Sequence, residues 1–345
     1  MFKYLGLHFT PRLRWDVHSA AVLKSAQHAA YRVSRVLTKT GPSPKVVRQL
    51  VHALVIPIIS YGWPLWNPPT AKHWSKLDSV VCFALRCSVG LPISVQKLGL
   101  FVEFGVVCPK LWRECSAMVF AHRVDCELGV SRPDHPAHKL FNEQRSVRLP
   151  KRCPKSCIPL AKATVTYEYR FGVDHDDSRA ANVASMRKLA LERQIRKIRE
   201  TDGKRRPTHY AREFKLRPAT ASYVLTDTRQ IATIRARIRL NRHHLRSRQH
   251  RLDGKVDDRC QYCLELSNGQ AAHLVPSETL QHVLFECPLH ARPRKLWSFE
   301  LSRAGIPLNI DVLTGDYADV RPDKRGLARV FSGNLLRDIN EKVPF

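Results

Sequence analysis

Four residues in the last third of the chain have the types and spacing of a soft-ligand metal site. Cys260 and Cys263 form C-x2-C, His282 and Cys287 form H-x4-C, and 18 residues separate the pairs. A C-x2-C knuckle can turn two thiolates onto one ion at about 2.3 Å. Three sulfurs and one imidazole, without a carboxylate, favour a closed tetrahedral Zn2+ of structural type. His273 and His290 stand as alternates to His282. Ser277 in PSETLQH would cap a short helix carrying His282, with Cys287 closing it before Pro288. A hydrolytic zinc needs an open position and a positioned acid or base. Glu278, the nearest acid, reads instead as a helix-start residue favoured by the dipole.

The other chemistry-bearing groups are weaker. Cys153 and Cys157 form C-x3-C but have no second ligand pair nearby, so they read as incidental thiols. The segment YADV at Tyr317 to Val320 has one acid of a Y-x-D-D box, and Asp323 with Asp338 could mimic a nuclease pair. Two-metal phosphoryl chemistry requires converging carboxylates, and no partner motif accompanies either, so these read as loop or helix-end acids.

Charge points to a polyanion. The 58 Lys plus Arg against 30 Asp plus Glu leave a formal +28, which favours nucleic acid through counterion release and steering. Between Ala181 and Arg251, 20 basic against 5 acidic residues give +15, more than half the total. Within it, IATIRARIRLNRHHLRSRQHR has helical spacing. Ile231, Ile234 and Ile238 share one face, and Arg235, Arg239, Arg242 and Arg246 line another. An apolar side would dock while the arginine stripe meets phosphates. Arg235, Arg237, Arg239, Arg242, Arg246 and Arg248 are therefore the candidate nucleic-acid contacts, with RNA or DNA as the partner.

The elements that must hold these groups are mostly helices. At 345 residues the chain is long enough for two or three domains, and 43% apolar with 26% charged residues is ordinary globular usage. Met1 to Phe9 alternates as a strand, and Asp16 would cap a helix with Val22, Ala26, Ala29 and Val33 inward and Lys24, Arg32 and Arg35 outward. Further helices are expected over 46–59, ending at Ser60-Tyr61-Gly62 beside Trp63 and Trp66, over 71–89 before Gly90, and over 109–127. The chain thus divides into a helical domain at 1–130, a flexible linker at 131–180 with a short hairpin at ATVTYEYRF, and a basic helical region at 181–258. A knuckle at 259–300 and a helical tail at 301–345 complete it. The fold class is mainly α, with one short N-terminal strand. No apolar run reaches the roughly 20 residues of a membrane span and no secretory signal opens the chain, so a nuclear or cytoplasmic setting is expected, with the ten cysteines as thiols and metal ligands.

In order, these segments resemble the C-terminal part of the reverse-transcriptase polyprotein of non-LTR (LINE-type) retrotransposons. FKYLGLHF is similar to the Y-L-G strand after the palm, and IPIISYGWPLW to a thumb helix ending in Tyr-Gly. KLDSVVCFALRCSVGLP is similar to the helix that follows, and IRARIRLNRHHL through RCQYC to SETLQHVLFECPLHARPRKLW to the closing basic helix and Cys-Cys-His-Cys knuckle. The resemblance covers about residues 1–300 and is most specific at the knuckle. It implies zinc on Cys260, Cys263, His282 and Cys287, and template or target-DNA handling by the basic helix, in support of target-primed reverse transcription. The chain departs from the family in starting at the Y-L-G, where fingers, palm and catalytic Asp pair would lie upstream. The expectation is a non-catalytic, nucleic-acid-binding fragment, with a palm domain as a further candidate partner. The alternatives are the tail of an active RNA-directed DNA polymerase and a zinc-scaffolded protein-interaction module.

Overall fold

A computed structural model describes residues 2–12, 14–36, 41–63, 65–68, 70–124, 131–146, 183–202, 214, 216–268 and 274–345. The chain is mainly helical, and its described strands form one two-stranded sheet. The expected N-terminal strand is a hairpin: β1 (Phe2–Tyr4) pairs antiparallel with β2 (Leu7–Phe9). Leu5 and Gly6, both at positive φ, make the tight turn between them, as a two-residue hairpin turn requires.

Helix α1 (Asp16–Arg35) buries Val22, Ala26, Ala30 and Val33 against α4 (Ala71–Ser88) and leaves Lys24, Arg32 and Arg35 outside. Trp15 occupies the cap position and Asp16 the first turn, where its charge suits the helix dipole. The second helix runs as α2 (Pro44–Leu50), a π-helical stretch Val51–Val55, and α3 (Ile56–Ser60). Pro57 has no N–H for a carbonyl one turn back, and the wider π turn just before it absorbs that loss. It ends at Tyr61 and Gly62 over the buried Trp63 and Trp66, as expected. Helix α4 stops at Gly90, whose φ is +54°. Next come α5 (Lys97–Glu103) and α6 (Pro109–His122), on which Cys115 and Val119 face inward.

The segment expected to be a linker contains α7 (Pro136–Ser146), whose Phe141 packs with Ala121 and Val124. The expected ATVTYEYRF hairpin and the Cys153 and Cys157 pair lie outside the described residues. Helix α8 (Val183–Asp202) packs on α5 and α6. The short α9 (Ser222–Thr226) leads into α10 (Arg229–Arg239), and α11 (Arg246–Leu252) and α12 (Gln261–Leu266) follow. Then come α13 (Ala291–Arg303), the single turn α14 (Ile310–Leu313), and α15 (Arg325–Lys342).

Among the described residues, a small cluster of Leu301, Ile306, Val312, Tyr317, Val320 and Ala328 lies in the expected tail. One apolar cluster runs from Leu7 and Trp15 through Leu100 and Phe104 to Tyr223, Ile238 and Leu284. Leu335, Leu336, Ile339 and Phe345 belong to it as well. The expected tail is therefore a structural element, because α15 places a full apolar stripe against α10 and α13. No described helix is long and apolar enough to cross a membrane.

Candidate metal centre and its basic surround

The four expected ligands converge. Cys260, Cys263, His282 and Cys287 offer ligand atoms that all lie within 4.8 Å of one another, and the grouping could hold a metal ion. The Cys260 and Cys287 sulfurs are 3.8 Å apart, and the Cys263 Sγ is 3.4 Å from His282 Nε2. Cys260, His282 and Cys287 are buried and Cys263 is half-buried.

Local backbone bonding explains the convergence. Arg259 and Ser277 form an isolated antiparallel bridge, the Cys260 N–H donates to Pro276 O at 2.9 Å, and Glu278 N–H donates to Asp258 O at 2.7 Å. These bonds clamp the C-x2-C turn beside the segment that leads to His282. The side chain of Ser277 donates to Asp258 Oδ2, so Ser277 is not the expected cap. Thr279 Oγ1 instead accepts the His282 N–H at 3.1 Å. The ligand-bearing turn His282–Glu286 is π-helical, and its last carbonyl-to-amide bond, from Cys287 N–H to His282 O at 2.7 Å, brings the fourth sulfur back.

Between the ligands, Val283 and Leu284 are buried in the main core, so the centre is stitched to the body of the fold. Glu286 Oε2 stands 3.7 Å from His282 Nδ1, a position from which a carboxylate can orient a metal-bound imidazole. Burial and the neighbouring sulfurs push the Cys263 thiol up to about 12 and raise Cys287 as well. A cation reverses such a penalty, since it takes the thiolates directly.

The alternates separate from the set. His290 is fully buried but outside the grouping. Burial, with Lys342, Arg294 and His282 nearby, lowers it to about 4. His273 lies outside the described residues. Glu278 accepts the Arg246 N–H and, through its carbonyl, the Ser247 hydroxyl. It ties α11 to the centre and is not a free acid. Asp323 and Asp338 join no grouping of potential ligands among the described residues, and Asp338 accepts from the Trp297 indole at 2.7 Å.

The expected arginine stripe is corrected by burial. Arg235 is fully buried, with Nη1 on Asp227, Nε on Leu313 O at 3.0 Å and Nη2 on Ser332 Oγ at 2.7 Å. Arg239 is 5% exposed and bonds both oxygens of Glu103, at 2.9 and 3.0 Å. Neither guanidinium faces solvent, so neither can meet a phosphate in this fold. The helix also ends at Arg239: Asn241, at φ +52°, turns the chain before α11 begins. Arg237 is half-buried and donates to Phe345 O and Gly90 O.

Arg242, Arg246 and Arg248 are half-buried: Arg242 donates to Ser94 O, and Arg246 and Arg248 lie on α11, which Glu278 ties to the ligand-bearing segment. Arg246 donates to Gln261 Oε1 next to Cys260, and Arg248 to the carbonyls of Asn241 and His243. Burial and the like charges of Arg242 and Arg251 lower Arg248, a sign of crowded cations. Sequence reasoning missed the internal partners Glu103 and Asp227. It also missed Arg329 and Arg337, eight residues apart on one face of α15, whose spacing was there to be read. Comparison with protein-family models, curated proteins and solved structures returns no match.

Proposed function

We propose that the chain is a nucleic-acid-binding module whose Cys3His centre holds structural Zn2+ and presents a phosphate-gripping arginine cluster. The observation that carries this reading is the ligand spacing. Zinc with Zn–S of about 2.3 Å and Zn–N of about 2.0–2.1 Å sets tetrahedral S···S and S···N edges of about 3.8 and 3.6 Å. Two of the ligand pairs stand at 3.8 and 3.4 Å, and all of them within 4.8 Å. Soft sulfur donors with one imidazole select zinc over hard, oxygen-seeking ions. Four protein ligands would close the coordination sphere, so the ion would serve the fold and not a reaction.

The charge next to the centre supports the second half. Arg242, Arg246, Arg248 and Arg251 cluster around α11, which buries none of its side chains and is held to the metal segment through Glu278. Such a helix is free to approach a polymer, and its contacts would be to phosphates, with little sequence preference. This is the role that the resemblance to the C-terminal part of non-LTR retrotransposon reverse transcriptases implies. Synthesis would belong to another part of such a polyprotein.

The test is binding of the zinc-loaded chain to a labelled oligonucleotide across a salt series. Affinity should fall steeply between about 50 and 200 mM salt, and the paired substitution Arg246→Glu with Arg251→Glu should weaken it at least tenfold. Affinity that ignores both salt and charge reversal would instead fit a protein-interaction scaffold. The same sample should take up one Zn2+ per chain by elemental analysis, and Cys260→Ser should abolish that uptake.

A further inference from the structure

Four arginines line one cavity that shares no residue with the Cys/His grouping. A groove of about 880 Å³ opens between α10 and α15. Arg229 and Arg237 line it from α10, and Arg329 and Arg337 from α15. The groove's acid, Asp227, is committed to the fully buried Arg235. Thr228, Gln230, Thr233, Asn334 and Asn340 supply neutral hydrogen-bonding groups.

Backbone carbonyls hold three of the arginines in place. Arg229 donates to the carbonyls of Cys87 and Ser88 at 3.2 Å, Arg237 to those of Gly90 and Phe345, and Arg329 to that of Thr226. The amide carbonyls that orient Arg229 and Arg329 leave the full charge of those two guanidinium groups in place. Arg337 is exposed, with Asp338 only at 3.9 Å. The Thr228 side chain does not cap α10, so the first-turn amides add positive partial charge at the same end of the groove. Preoriented cations on two facing helices are the arrangement that a chain of phosphates requires.

We infer that this groove holds consecutive phosphates of a single-stranded nucleic acid, a second binding surface beyond the arginines of α11. Its volume falls in the range of about 300–1,000 Å³ that admits one small ligand, so a strand can enter where a duplex could only lie across the rim. Ile231, Ile234 and Val330 are its apolar lining, and no aromatic ring offers a stacking platform. The groove therefore follows the backbone and reads no bases. The inference rests on the nucleic-acid reading above, and the experiment separates the two.

The probes are a labelled single-stranded 12-mer, a hairpin duplex of the same length and inorganic tripolyphosphate as competitor, with the zinc-loaded full chain. Gln230→Glu, Asn334→Asp and Arg337→Glu together place negative charge in the groove without touching the arginines that hold backbone carbonyls. Single-strand affinity should fall at least tenfold, and the salt slope should shrink by about 0.7 for each phosphate that the variant no longer grips. Duplex affinity should change by less than about threefold, and the neutral Asn334→Ala should stay within about twofold on both probes, which separates charge from misfolding. Equal losses on strand and duplex would overturn the inference. So would failure of tripolyphosphate to displace the labelled single strand. If the groove variant binds normally while Arg246→Glu with Arg251→Glu does not, the groove fails and the α11 reading stands. If neither variant loses affinity, both fail.

Discussion

Arg235 shows how far a residue's role can depart from its type. A guanidinium among isoleucines at helical spacing reads as an outward cation, yet Arg235 lies at the centre of a sealed network with Asp227, Ser332 and the Leu313 carbonyl. Its plane also covers the Tyr317 ring, 5.5 Å from the centroid. Burial lifts the Asp227 carboxyl above its ordinary range even as Arg235 pulls it down, so the pair is costly to desolvate and costlier to break. Arg235→Ala should therefore destabilise the chain by about 3–5 kcal/mol, whereas Arg235→Met with Asp227→Leu should recover most of the loss. Urea midpoints of the three proteins test this, and an Arg235→Ala midpoint matching the parent would sink it. The inward turn was not legible because the stripe around Ile231 and Ile238 gives a periodicity but not which cations find carboxylates. Glu103, which claims Arg239, stands 136 residues away in sequence. By contrast the convergence of the four candidate ligands was legible, since residue type and local spacing nearly determine such a turn.

Among the elements, the end of α5 carries more than its length suggests. Gly105 N–H donates to Val102 O and Val106 N–H to Phe101 O, a Schellman closure with Gly105 at φ +56°. The carbonyls left free at the helix end fasten three other segments: Phe104 O accepts from Arg48 and Thr220, and Gly105 O accepts from Arg187. A Cβ at Gly105 would stand 2.7 Å from the Thr220 backbone nitrogen. Gly105→Ala should thus cost about 3 kcal/mol or more, combining left-handed strain with a backbone clash. Gly254→Ala, where nothing lies within 4 Å, should stay within about 0.5 kcal/mol. Equal thermal stability of the two variants would refute the account. The sequence revealed α1, α4 and α6 well, because long amphipathic spacing outweighs local detail. It hid the Leu5-Gly6 hairpin turn, the break at Asn241 and α7, where one or two residues or a distant contact decide the outcome.

For the whole molecule, the question is whether the metal centre is a separate bead or part of the body. Leu280, Val283 and Leu284 lie before and between His282 and Cys287, and all three belong to the cluster that reaches from Leu7 to Phe345. Arg294 of α13 donates to Cys287 O at 3.1 Å, and α13 in turn packs on α15. If the grouping holds an ion, loosening the ligands should therefore loosen the main core, and ion binding would add to the folding free energy of the chain as a unit. Adding a zinc chelator to the zinc-loaded protein should shift one cooperative thermal transition downward by several degrees without splitting it. Cys260→Ser should show the same lowered transition and no further response to chelator. Calorimetry decides between the two pictures: an independent knuckle would melt as a small early transition and leave the main one in place. A unified core moves as a whole because the segment that carries His282 and Cys287 also supplies Leu280, Val283 and Leu284 to it.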